Sequence, residues 1–311
     1  MVLEIFLIIL GIAVVLWGAD RFTDGACGLA RRLKVSELVI GLTVVALGTS
    51  LPEFMVSFMS VLRGSSDMSV GNIIGSNVFN ILVIIGATAI KRTMNVEKSL
   101  LQRDLPICIA ASILLFVFAF SGGMIARWEA LILVSFFCVY LYIAYRVAMK
   151  DRKSAQDVSH TEQSSLPKLI LLILVGIAAL VVGGRVLVDN AAAVAREWGV
   201  SESVIGMTIL AAGTSLPELA TSVMAARKGS LGLAFGNAIG SNVFNIAFVI
   251  GICGSIVPMA VTEITPKDWG MLIGSCVLVW FVSWTNRSLN KKEGILLVLC
   301  YLAYLVSLIV K

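Results

Sequence analysis

Histidine occurs once in these 311 residues, at His160, and cysteine six times, at positions 27, 108, 138, 253, 276 and 300. No two cysteines lie closer than 23 residues and none forms a C-x-x-C pair. That spacing excludes a zinc or disulfide framework and leaves the cysteines as small buried hydrophobes. His160 falls in the polar stretch 150–166 and is expected to be a solvated loop residue. Charge is scarce too: 14% of the residues are charged and 59% hydrophobic, with a mean hydropathy of +0.97. This balance excludes a soluble globular domain of this size. The net charge of +5 does not indicate a nucleic-acid partner, because the basic residues gather beside the ends of apolar runs, where they set orientation in a bilayer.

What the chain does have is long apolar runs. A membrane span takes about 20 largely apolar residues, and ten candidates lie between the charge clusters, near 3–19, 36–62, 69–90, 105–121, 128–148, 168–188, 201–226, 233–257, 269–285 and 294–310. The first is read as a retained helix and not a leader, since it carries Glu4 in place of a basic start and its Gly11-Ile12-Ala13 recurs as Gly176-Ile177-Ala178. Of the 24 Lys and Arg residues, 18 follow spans one, three, five, seven and nine. That side is expected to be cytoplasmic, with both termini outside the cytoplasm, in the inner (plasma) membrane of the cell.

A shift of 165 residues lays the first half on the second without a gap in the informative region. Val35 to Glu53 matches Val200 to Glu218 at 14 of 19 positions, and Gly71 to Ile81 matches Gly236 to Ile246 at 10 of 11, which excludes coincidence. Each half holds five spans, and an odd number starts the second copy from the opposite face. The expected fold is therefore an all-α integral membrane protein of ten transmembrane helices in two inverted five-helix repeats, residues 1–149 and 167–311, joined by a cytoplasmic linker at 150–166. Inverted repeats are a device of secondary transporters, whose sites lie at the repeat interface near the midplane.

Among the 19 acidic residues, Glu53 and Glu218 fall well inside apolar spans, both in a duplicated G-T-S-L-P-E. A carboxylate at that depth costs several kcal/mol and needs a partner, and two of them facing one another would repel or take up protons unless a cation lay between them. Pro52 and Pro217 lack a backbone donor and should break their helices, releasing carbonyls near Ala46 to Thr49 and Ala211 to Thr214. With the Ser50 and Ser215 hydroxyls the cluster is all oxygen, which suits a hard ion such as calcium and argues against zinc or copper. The plain alternative is a capping box, with Ser50 as N-cap and Glu53 reaching back to it. The second duplicated motif sets Asn72, Ser76 and Asn80, and Asn237, Ser241 and Asn245, at i, i+4 and i+8 on one helical face, where they serve either the site or interhelical hydrogen bonds.

The paired G-x-x-x-x-A-x-G-T-S-x-P-E (41–53 and 206–218) and G-N-x-I-G-S-N-x-x-N-I (71–81 and 236–246) resemble the α-repeats of the calcium/cation antiporter superfamily, in its sodium/calcium exchanger branch of compact prokaryotic type. The resemblance implies that broken helices two, three, seven and eight form the ion-binding core, and that spans one and six slide past it. It places calcium on the carboxylates of Glu53 and Glu218 and the carbonyls of Thr49 and Thr214. Sodium would use the same glutamates with Ala46, Ser50, Ser76, Ala211, Ser215 and Ser241, while Asn80 and Asn245 complete the central layer. Asn245 stands where potassium-dependent members carry Asp, which implies potassium independence. The implied partners are calcium and sodium ions and the lipid bilayer, with no cofactor, no enzymatic activity and a monomeric functional unit. A proton/calcium antiporter of the same fold is the alternative, and a passive cation channel or an intramembrane hydrolase are rivals of other classes.

Overall fold

The computed structural model describes residues 2–154, 165–199 and 211–309. His160, most of the expected linker, the start of span seven and the first part of the 206–218 motif lie outside the described residues. Among the described residues twelve helices follow in chain order: α1 Val2–Leu33, α2 Glu37–Thr49, α3 Leu51–Leu62, α4 Ser66–Lys91, α5 Leu100–Gly122, α6 Arg127–Ser154, α7 Leu166–Glu197, α8 Ala211–Thr214, α9 Leu216–Arg227, α10 Leu231–Ile256, α11 Pro266–Asn286 and α12 Lys291–Ile309. Among the described residues six of them are long and apolar enough to cross a membrane, or seven if the bent pair α2 and α3 forms one span.

Two-residue ladders are the exceptions to an all-α architecture. Strand β1 (Met94–Asn95) pairs with β4 (Ser288–Leu289), and β2 (Met124–Ile125) with β3 (Met259–Ala260). Each ladder ties a connection in the first half of the chain to one in the second.

Burial separates centre from periphery. In α4 and α10, 78% of the most apolar stretch is buried, against 22% in α1, so α4 and α10 form the core and α1 lies outside it. Exposed Phe6, Ile9, Leu131, Leu171 and Phe281 give the outer helices an apolar surface suited to lipid. At 32 residues each, α1 and α7 reach about 48 Å at 1.5 Å per residue, longer than the roughly 30 Å apolar layer, and so must tilt or run on beyond it. They pack along one another through glycine. A Cβ on Gly176 would meet Phe22 N at 2.7 Å, one on Gly18 would meet Ala179 Cβ at 2.8 Å, and one on Gly11 would meet Leu187 N at 2.9 Å.

The helix expected over 36–62 is broken, as its proline requires: α2 and α3 meet at 47° around Ser50. The +165 counterpart breaks at Ser215, between α8 and α9. Spans three and eight correct the expectation, because α4 and α10 run on as single helices. Neither contains proline, and the distortion is a π-helical stretch instead, at Asn80–Ile84 and Phe244–Ile250. Helix α6 continues to Ser154, five residues into 150–166, where Lys and Arg are good helix formers.

Candidate functional site

Ser50 and Ser215 take almost the same backbone conformation, with φ and ψ of −85° and 11° and of −88° and 8°. Each precedes a twelve-residue helix with proline in its first turn and the glutamate just after it. Neither serine caps its own helix through its side chain, so the capping-box reading is overturned. Both hydroxyls cross to the other copy of the motif instead. Ser50 Oγ donates to Glu218 Oε1 at 2.7 Å, and Ser215 Oγ donates to Glu53 Oε1 at 2.9 Å. Proline explains the freedom to do so: without its N–H the helix cannot run through this turn, and the side chain before it is turned across the interface.

Glu53 and Glu218 are both 0% exposed. Glu53 and Glu218 lie in the first turns of α3 and α9. One oxygen of each takes the serine; the other, Oε2, is buried and has no hydrogen-bond partner. The same holds for Ser76 and Ser241 Oγ and for Asn80 and Asn245 Oδ1. Three pairs of buried oxygens related by the 165-residue shift are thus left without a donor, in a chain that satisfies its other motif groups carefully.

Asn72 and Asn237 show what satisfied members of the motif look like. Asn72 Nδ2 donates to the Glu53 carbonyl at 3.4 Å and to Ser57 Oγ at 3.0 Å; Asn237 Nδ2 does the same with Glu218 O at 3.2 Å and Ser222 Oγ at 2.9 Å. Of the two roles left open for this pair, interhelical hydrogen bonding is the one observed. These bonds also turn the Asn72-Ser76-Asn80 face of α4 toward α3 and Glu53, and the matching face of α10 toward α9 and Glu218. Thr49 Oγ1 reaches Asn237 Oδ1 at 3.0 Å and Thr214 lines a cavity beside the site. The Ala46 carbonyl is not released, since Ser50 N–H still donates to it at 3.1 Å. Ala211, the +165 counterpart of Ala46, lies in α8.

Sequence reasoning missed two residues at the centre of this arrangement, Asn77 and Asn242, which clasp one another across the two halves. They fall off the i, i+4, i+8 stripe; their recurrence in both copies of G-S-N was the available signal. Asp104 and Glu129, 1% and 4% exposed, are further buried acids, but they sit at helix starts, where the Arg103 guanidinium at 2.7 Å and the Ala126 N–H at 2.8 Å hold them.

A cavity of about 890 Å³ reaches the region from one side, lined among others by Pro52, Met68, Asn72, Arg185, Asp189 and Thr214. Among the described residues no three His, Cys, Asp or Glu side chains come together as a metal cluster. Two carboxylates surrounded by hydroxyl and amide oxygens form a donor set for hard ions and not for zinc or copper.

The family model of the sodium/calcium exchanger proteins matches residues 3–146 and 168–310, nearly the whole chain. The chain belongs to the sodium/calcium exchanger family. It is 32% identical to the sodium/calcium exchanger MaX1 of Methanosarcina acetivorans over 97% of both chains, and 33% identical to the inner membrane protein YrbG of Escherichia coli over 95% of this chain and 93% of that one. The solved structure of the sodium-calcium exchanger NCX_Mj superimposes with a TM-score of 0.84 at 28% identity, covering 99% of each chain. The resemblance carried by the four motifs is thereby shown, and it is a resemblance to transporters and not to enzymes.

Proposed function

We propose that this exchanger-family protein is a secondary active antiporter that exchanges sodium for calcium by alternating access, at a site formed by Glu53, Glu218 and the oxygens around them. The observation that carries this reading is the reciprocal crossing of Ser50 to Glu218 and Ser215 to Glu53, which leaves one oxygen of each buried carboxylate without a donor. Two ionised carboxylates in a water-poor interior repel, and a divalent cation or several monovalent ones remove that repulsion. Charge compensation then becomes the condition for movement: the empty, doubly negative site is costly to carry past the apolar barrier, so exchange is obligatory and leak is suppressed. The further ligands in this reading are Thr49, Thr214, Ser76, Ser241, Asn80 and Asn245, together with the Ala211 carbonyl and the second lone pair of the Ala46 carbonyl, whose first accepts the Ser50 N–H, and the architecture is the ten-span inverted repeat with units 1–149 and 167–311.

Alternating access draws support from an asymmetry between otherwise equivalent ends. At one end the Lys228 ammonium bridges Asp20 at 2.6 Å and Asp24 at 2.7 Å, tying the turn after α9 to α1. Burial draws this ammonium below its ordinary value, but hydrogen bonds to Asp20 and Asp24 outweigh it and hold the group above that value, so it stays charged at neutral pH. Under the 165-residue shift the counterparts of Lys228, Asp20 and Asp24 are Arg63, Arg185 and Asp189, and at that end the cavity lies open, lined by Arg185 and Asp189. With the basic side cytoplasmic, this is a state open to the outside and latched within. Partly exposed ion pairs contribute about 0–1 kcal/mol, so Lys228→Gln should shift the state population up to about fivefold toward the opposite opening. Labelling of Val188→Cys in the cavity by an impermeant thiol reagent should slow accordingly, and an unchanged rate argues against a latch.

The function itself is tested by calcium uptake into proteoliposomes. Uptake is expected under an outward sodium gradient and not under a proton gradient alone. Uptake driven by protons without sodium would make the protein a proton/calcium antiporter, and flux with no counter-ion gradient would make it a channel.

A further inference from the structure

The oxygens offered by Asn80 and Asn245 raise a chemical problem. A carboxamide has an oxygen at one end and an NH2 at the other, nearly equal in size, and only the oxygen attracts a cation. Something must decide which end faces the site, and the two asparagines missed in the sequence do so.

The backbone settles the first step. Asn77 Nδ2 donates to the Asn242 carbonyl at 3.2 Å and Asn242 Nδ2 donates to the Asn77 carbonyl at 3.1 Å. A carbonyl only accepts, so the NH2 ends of both residues are fixed without ambiguity. Their oxygens then take the next donors: Asn77 Oδ1 accepts from Asn245 Nδ2 at 3.0 Å, and Asn242 Oδ1 accepts from Asn80 Nδ2 at 3.1 Å. With the NH2 ends of Asn80 and Asn245 committed in this way, their Oδ1 atoms face away and remain buried without a donor. All four residues are 0% exposed, so no solvent competes for these bonds.

We infer that Asn77 and Asn242 are positioning residues for ion binding: their reciprocal clasp fixes the amides of Asn245 and Asn80 so that both present oxygen, and not nitrogen, to the cation. The inference rests on the reading of the Glu53–Glu218 cluster as the cation site. Each half of the chain orients the ligand of the other, since Asn77 acts on Asn245 and Asn242 on Asn80. A nonpolar residue in place of either leaves a ligand amide free to turn, and the clasp between α4 and α10 is lost with it.

The test is calcium titration calorimetry on the full chain in detergent, in sodium-free buffer. Asn77→Leu, close to asparagine in volume, is expected to weaken calcium binding about tenfold or more, while Asn77→Leu combined with Asn245→Leu binds within about twofold of Asn245→Leu alone, because residues that act through one another are non-additive. Asn242→Leu and Asn80→Leu form an equivalent cycle and decide the matter if Asn77→Leu does not fold. Affinity within about twofold of wild type, with only thermal stability lowered, would make the clasp merely structural and overturn the inference. Fully additive losses would overturn it as well. Glu53→Gln separates the two levels: if it binds calcium like wild type, the site reading fails, and if it loses binding while Asn77→Leu keeps it, positioning alone fails.

Discussion

Glu53→Gln, and separately Glu218→Gln, should abolish sodium-gradient-driven calcium uptake into proteoliposomes. Glutamine keeps the length of glutamate and an oxygen to accept the hydroxyl that now reaches Oε1, from Ser215 at 2.9 Å or from Ser50 at 2.7 Å, so the crossing between the halves survives. What disappears is one negative charge from a cluster with no exposure to solvent. Calcium bound to the single remaining carboxylate carries an uncompensated positive charge, and breaking a buried charge pairing costs about 3–5 kcal/mol. At one factor of ten per 1.36 kcal/mol this is a loss of roughly 150- to 5,000-fold. Retention of more than about half of the wild-type rate would mean a change under about 0.4 kcal/mol and would defeat the site. Folding is expected to move the other way. Without ions the two carboxylates repel, so either substitution should raise the thermal midpoint of the ion-free protein, which separates a lost charge from a damaged fold.

Much of this site was legible because it is written twice. The 165-residue shift singles out Glu53 with Glu218 and Ser50 with Ser215 before any geometry is known, and proline two residues after each serine announces the break that frees the hydroxyl. The same logic failed where no proline marks the distortion. In α4 and α10 the helix absorbs the motif in a π-helical stretch, which has no residue signature of its own. Helical phase hid Asn77 and Asn242, since a stripe drawn at every fourth residue passes them by, although each lies three residues before the asparagine that the other one holds. Sequence likewise cannot separate Asn72, which spends its amide on Glu53 O and Ser57, from Ser76, whose hydroxyl is left without a partner. That difference depends on what stands opposite, a property of the packed molecule.

Gly176→Val tests whether the two long outer helices must stay in close contact to work. A Cβ on Gly176 would lie 2.7 Å from Phe22 N, 2.8 Å from its Cα and 2.7 Å from its Cβ, and helix backbone cannot yield as a flexible side chain does. Gly183 meets Val15 N at 3.0 Å, and Gly18 meets Leu180 N at 3.0 Å, so the approach is close over several turns. A branched side chain at position 176 therefore forces α1 and α7 apart, at a cost of about 1–3 kcal/mol for overpacking. Gly176 contributes no group to the Glu53–Glu218 cluster, so calcium affinity should hold within about twofold while the exchange rate falls about tenfold or more. Gly184, one residue beyond Gly183, lines the cavity and has no described atom within 4 Å of where a Cβ would sit, so Gly184→Ala should leave the rate nearly unchanged. Loss of calcium binding in Gly176→Val would mean that α1 and α7 hold the site together, and equal rates in all three proteins would mean that they do not move past one another at all.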